Sequence, residues 1–245
     1  MKSGFSTVFS ILVILNNAAS AQTGPEDSLF YQESISNTLT IYKGRLGDQS
    51  PIYNGSRYIK PAGGFKEGSP YFRTDSFTNN SSVVYDKILF DTLSLLYEDL
   101  RQHLVLKTSK YQFQLVNPRI SSFSISGHRF IRLVSDSANS GIRETGFYEL
   151  LYQEKSEVLK WTSKEIDEEP SISEGVVRRI KINNAYFIKK GTRYFRIKSK
   201  RDLSVIFQDR LKDMEHYIKK NHLKFRRDPD NTLIQSVRYY DFIRN

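Results

Sequence analysis

Cysteine does not occur anywhere in the 245 residues. That excludes a disulfide framework, a thiolate nucleophile, cysteine-ligated zinc and a lipid-modified cysteine behind a leader peptide. Histidine is scarce too, and the four present are His103, His128, His216 and His222. His216 and His222 are six apart and would face different sides of a helix, and no H-E-x-x-H spacing occurs, so no metal site is expected. Asp213 and His216 read as an ordinary helix-surface pair. The phosphate loop G-x-x-x-x-G-K-[ST] and the G-x-G-x-x-G fingerprint are absent, and Ser126, close to His128, lies in no G-x-S-x-G elbow. Asp228-Pro229-Asp230-Asn231 lacks the glycine and closing glutamate of a calcium loop. Nothing here calls for a cofactor.

Long apolar runs are also missing, with one short exception at the start. Lys2, then Phe9–Leu15 (FSILVIL), then Ala19-Ser20-Ala21 form the charged, apolar and small-residue parts of a secretory signal peptide over residues 1–21. The apolar part is well short of the roughly 18 to 20 residues a membrane span needs. Cleavage between Ala21 and Gln22 is expected, with export to the periplasm or cell surface. After that no span follows, since even Ile88–Leu100 is interrupted by Asp91, Glu98 and Asp99. An exported chain without disulfides suits a bacterial envelope, and the Asn54, Asn79 and Asn80 sequons read as loop residues matching by chance.

The formal net charge is +10, and removing Lys2 with the leader leaves about +9. Inside a cell such a charge would point to nucleic acid, but no nucleic-acid-binding motif occurs and no such partner is expected. Outside, the abundant polyanions are envelope polymers and lipid head groups. The plainer reading is a surface excess of Lys and Arg that only confers solubility.

The composition, 38% hydrophobic and 26% charged, is that of a globular chain. Leu29, Ile35, Leu39 and Tyr42 predict a helix within Glu26–Gly44, and Gly47–Pro70 reads as an ordered loop region with short extended pieces. Over Val83–Leu106 both a helix and alternating strands fit, and strands are the reading adopted. Strands continue through 103–108, 111–116, 120–126 and 128–134, with a tight turn or a bulge at Gly127. Hairpins follow at 146–166 and 185–197, the second turning at Lys190-Gly191-Thr192. Between them 166–175 (IDEEPSISEG) reads as a charged loop and hinge. Beyond Ser199 the pattern turns helical: a stripe from Leu203 to Ile218 broken near Asp209, then a last helix opened by Asp228-Pro229-Asp230. The expected architecture is α+β, an antiparallel β meander or roll with an N-terminal helix and C-terminal helices. Residues 22–198 would form the β-rich domain, with 199–245 packed on it.

Candidate binding residues come from two features. Tyr217–Asp228 (YIKKNHLKFRRD) concentrates Lys219, Lys220, Lys224, Arg226 and Arg227, a solvated helix end or a patch for anionic polymers. Tyr186, Phe187, Tyr194, Phe195 and the lone Trp161 could stack on sugar rings, although strand alternation turns about half of them inward. The Glu165, Asp167, Glu168, Glu169 cluster is contiguous, unlike a catalytic carboxylate pair, and reads as a solvated turn.

At 53–59 (YNGSRYI), 82–100 (SVVYDKILFDTLSLLYEDL), 127–133 (GHRFIRL), 146–152 (GFYELLY) and 217–228, the chain resembles uncharacterised exported proteins of Bacteroidota. The resemblance spans most of the mature chain and carries no assigned activity. Its usual valine, proline, leucine at Leu93-Ser94-Leu95 implies a strand there. It also implies O-glycosylation at Asp followed by Ser or Thr and a small or aliphatic residue. Asp27-Ser28-Leu29, Asp91-Thr92-Leu93 and Asp136-Ser137-Ala138 match, with Ser137 the preferred site. The function expected is a non-enzymatic cell-envelope protein that binds a protein partner or an anionic polymer. The alternative is an envelope hydrolase whose site is assembled from residues distant in sequence.

Overall fold

Strand follows strand from Thr78 to Ile197, because β-branched and aromatic residues recur at alternate positions between turn residues. The computed structural model describes residues 50–244 apart from Glu174. The leader peptide expected at 1–21, the helix expected within Glu26–Gly44 and Ser28 lie outside the described residues, and the described residues all belong to one unit that begins at Asp48. The strands are β1 (Ser56–Arg57), β2 (Phe65–Glu67), β3 (Thr78–Tyr85), β4 (Ile88–Glu98), β5 (His103–Lys107), β6 (Gln112–Gln114), β7 (Ile120–Ile125), β8 (His128–Leu133), β9 (Gly146–Gln153), β10 (Ser156–Ser171), β11 (Gly175–Lys190) and β12 (Arg193–Ile197). Helices α1 (Lys200–Ile206), α2 (Leu211–Lys220) and α3 (Pro229–Ile243) close the chain. None is long and apolar enough to cross a membrane.

All twelve strands join one open sheet in the order β1-β6-β5-β4-β3-β7-β8-β9-β10-β11-β12, with β2 added in parallel beside β11 and every other pairing antiparallel. The strand reading of 83–106 therefore holds. The turn expected at Gly127 is a two-residue turn of Ser126 and Gly127, both at positive φ, and Asp86-Lys87 makes the same turn between β3 and β4.

Cross-strand register sorts side chains by face. Phe130 opposes Glu149, which opposes Lys160, which opposes Tyr186, so this row and its alternate neighbours share one face. That face holds two apolar clusters. One gathers Val83, Tyr85, Leu95, Tyr97, Phe123, Phe130 and Phe147. The other seats Tyr152, Val158, Tyr186 and Ile188 under Leu203, Phe207, Met214, Leu233, Val237 and Tyr240 of the helical layer. The opposite face of β9–β12 carries Tyr148, Leu159, Phe187 and Tyr194 and packs Ile142 from the β8–β9 connection.

The helix boundaries follow their caps. Ser199 and Asp202 form a reciprocal capping box on α1, and the chain breaks at the 3-10 turn Gln208–Arg210, as the stripe around Asp209 predicts. The Asp228 carboxylate accepts from the N–H of Asn231 at 3.2 Å, with Pro229 in the first turn of α3.

Buried ions tie segments that composition leaves loose. Glu98 takes both nitrogens of an Arg101 fork and the Tyr58 hydroxyl at 2.9 Å. The Lys164 ammonium donates to the carbonyls of Ser69 and Tyr71, each at 2.8 Å, and pairs with Asp99 at 2.7 Å, off the line of a hydrogen bond.

One expectation is overturned. Residues 166–171 are not a loop but the end of β10, paired with β11 up to Ser171 opposite Gly175. Residues 166–171 bury no side chain, so they lack the alternation that marks a strand. Arg178 instead donates to Glu168 at 2.8 Å and Arg179 pairs with Glu169 at 2.5 Å. Pro170 is tolerated because β9 accompanies β10 only to Lys160, leaving an edge beyond it.

Candidate functional site

The face of β9–β12 turned away from the helices is only partly covered. Trp161 opposes Ala185, Ser163 opposes Asn183, and Phe187 opposes Arg196, which places all six on that face beside Tyr148. Together they line an open cleft of about 470 Å³ whose rim is completed by Arg143, Glu144, Glu165 and Asn184. The floor is aromatic: the Trp161 and Tyr148 rings lie 4.8 Å apart at 37°, and Phe187 meets Tyr148 edge-on at 5.6 Å. Gly146 permits this, since a Cβ there would come within 2.5 Å of the indole.

The rim is held by backbone. Ser135 donates twice across the β8–β9 connection, its N–H to the Thr145 hydroxyl at 2.9 Å and its own hydroxyl to the Ile142 carbonyl at 3.2 Å, and Tyr194 donates its N–H to the Ser140 carbonyl at 2.9 Å. Gly141 at φ +103 lies so close to β12 that an added Cβ would sit 1.9 Å from the Tyr194 carbonyl oxygen. This contact presents Arg143 to the cleft. Gly141→Ala is expected to cost at least about 2 kcal/mol in a urea titration, from the forbidden φ and the clash together. Tyr148 donates its hydroxyl to the Glu144 carbonyl at 2.7 Å, and burial raises its pKa well above the ordinary phenol value. Among the described residues neither Arg143 nor Arg196 makes an ion pair, so both guanidiniums are available to a ligand.

The residues singled out from sequence fall in three places. Tyr186 is 6% exposed, donating its hydroxyl to Asp230 at 2.5 Å, and Tyr194 is 5% exposed beneath the Lys189 ammonium. Both are structural anchors at this edge of the sheet, and Phe187 and Trp161 are the members of the aromatic set that reach the cleft. Lys219, Lys220, Lys224, Arg226 and Arg227 are all exposed around the end of α2. There His222 takes φ +53 and the N–H of Leu223 reaches the Ile218 carbonyl, which terminates the helix. Only Lys219 and Lys224 come together, with Lys200, Glu215 and His222, around a shallow hollow of about 440 Å³. Ser137 is exposed in the 3-10 turn Ser137–Asn139, capped by Asp136.

His128 has a partner that its sequence neighbours do not reveal. Its Nδ1 lies 2.5 Å from Glu149 across the β8–β9 pair, while Ser126 meets Thr78 instead. Lys160, salt-bridged to Asp230 at 2.8 Å, extends the row, and a hollow of about 450 Å³ opens over it with Arg73 and Arg129. Among the described residues no three His, Asp or Glu side chains are grouped to hold a metal.

The fold and cleft define an open antiparallel sheet with helices on one face and an aromatic, guanidinium-rimmed cleft on the other. No known protein family, curated protein or solved structure matches this chain.

Proposed function

We propose that the protein is a non-catalytic binding protein of the bacterial cell envelope, and that its ligand is a saccharide unit of an anionic envelope polymer. The observation that carries this reading is the cleft itself. Packed aromatic rings, tilted and edge-on to one another, form its floor, and amide, guanidinium and carboxylate groups line its rim. A sugar ring offers an apolar C–H face to an indole and a ring of hydroxyls to such a rim, as pockets for polar ligands require. The basic surface beyond the cleft favours anionic polymers by attraction at a distance. The signal-peptide pattern of residues 1–21 supports the envelope location.

Because the chain has a single tryptophan, its fluorescence reports on this cleft alone. Titration with uronic-acid oligosaccharides is expected to change the Trp161 emission saturably, and Trp161→Ala to weaken binding at least about tenfold by an independent assay, in line with loss of a stacking contact. Emission insensitive to every charged and neutral oligosaccharide would remove the reading.

The hydrolase alternative is favoured by one observation, the His128–Glu149 pair beside the hollow lined by Lys160 and Asp230. Among the described residues no serine or threonine lines that hollow to serve as nucleophile, so the binding reading is preferred.

A further inference from the structure

The cleft over Trp161 does not end at its basic rim. A second hollow of about 360 Å³ opens beside it at the β12 edge, and Arg143 and Arg196 line both. Its walls continue with Arg193 from β12, Lys198 from the link that follows it, and Val205 and Ile206 from α1. We propose that the two hollows are adjoining subsites of one groove for an anionic oligosaccharide of at least two units. One sugar ring lies on Trp161, and a negatively charged group of the neighbouring unit is held by Arg193 and Lys198. Arg143 and Arg196 contact the stretch between them. This deepens the saccharide reading above and rests on it.

Charge separates the two hollows. In the first, Arg143 and Arg196 are offset by Glu144 and Glu165 around an aromatic floor, which suits the uncharged body of a sugar. In the second, Arg143, Arg193, Arg196 and Lys198 face a single carboxylate, Asp202. That carboxylate is committed elsewhere: it accepts from the N–H groups of Lys198 and Ser199, each at 2.8 Å, and from the Ser199 hydroxyl. Backbone hydrogen bonds, led by that from Lys198, hold its pKa below the ordinary carboxylate value despite some burial. Arg193 rests its guanidinium 5.2 Å from the Phe195 ring centroid, and among the described residues none of the four cations makes an ion pair. Four like charges around one hollow repel one another until an anion enters. Planar guanidiniums match carboxylate and phosphate geometry in a way ammonium groups do not.

The test is a Trp161 fluorescence titration of the mature protein at fixed salt with three length series: oligogalacturonates, neutral manno-oligosaccharides and phosphorylated manno-oligosaccharides. Affinity should rise at least tenfold from one unit to two or three in an anionic series and much less in the neutral one. Whichever anionic series responds tells a carboxylate-bearing ligand from a phosphate-bearing one. Arg193→Ala combined with Lys198→Ala should bring the longer anionic sugars down to the affinity of a single unit. Lys60→Ala with Lys212→Ala removes the same charge from exposed positions lining neither hollow, and should keep the length dependence. Equal affinity at all lengths, an equal rise in the neutral series, or length dependence surviving the Arg193/Lys198 substitution would overturn the second subsite while leaving the Trp161 cleft standing. No response to any series would overturn both.

Discussion

Replacing Lys164 by alanine is expected to destabilise the fold by about 3 to 5 kcal/mol, the range for removing one member of a buried ion pair. Lys164 and Asp99 side chains are 6% and 4% exposed, and the ammonium also satisfies the carbonyls of Ser69 and Tyr71. Its loss strands a carboxylate and frees the 69–71 segment from the sheet. Pairing Lys164→Met with Asp99→Leu should recover much of the loss, because an apolar pair leaves no buried charge behind. Equilibrium urea unfolding of the single and double variants measures both.

The same pair sets a pH dependence whose sign follows from Asp99. Burial pushes its pKa up from 3.8 to about 6, against the pull of Lys164. The folded state therefore binds a proton more tightly than the unfolded chain, so this group's contribution to stability rises as pH falls through 6 and levels off near 4. Relative to Asp99→Asn, the wild-type protein should gain up to about 3 kcal/mol between pH 7 and pH 4. Carboxylates common to both proteins cancel in that difference.

The second large effect lies where α3 meets the β9–β10 hairpin. Asp241, 3% exposed, accepts from the N–H of Ser156 at 2.9 Å, from the Ser156 hydroxyl at 2.7 Å and from the Tyr152 hydroxyl at 3.3 Å. Asp241→Ala leaves buried donors without an acceptor, and each costs about 1 to 3 kcal/mol. A total loss near 3 kcal/mol is expected. Hydrogen exchange should show where it falls, with the Ser156 amide losing protection and the turn at Asp86-Lys87 unaffected, since the latter lies in the other half of the sheet.

The strands and helices were readable wherever burial leaves a one-sided pattern. AYFIKKGTRYFRI forms its hairpin because Tyr186 and Ile188 face the helices while Phe187 faces the other way. The caps at Ser199 and Asp228 are local chemistry and were equally visible. Residues 166–175 were not, because 166–171 bury no side chain and are held to β11 by cross-strand ion pairs that span a turn. The cleft was only partly readable: Trp161 is marked by its rarity, but a turn at Lys190-Gly191-Thr192 would pair Phe187 with Phe195, whereas the chain turns at Gly191-Thr192, pairs Lys190 with Arg193 and so sets Phe187 opposite Arg196. Arg143 was invisible, since its place depends on the approach of Gly141 to Tyr194, across more than fifty residues of chain. The Glu149 partner of His128 was hidden for the same reason. The basic run at 219–227 is visible because it is contiguous, whereas the second hollow draws its cations from the β8–β9 connection, β12 and the link between β12 and α1.

The account turns on whether ligand occupies the cleft over Trp161. Acrylamide quenching of the single tryptophan, measured with and without a saturating anionic oligosaccharide, tests this directly. The account predicts that bound ligand lowers the quenching constant several-fold by covering the indole, and that Gly141→Ala, which displaces the rim, weakens that protection. Quenching that stays unchanged while ligand is demonstrably bound would place the ligand elsewhere and contradict it.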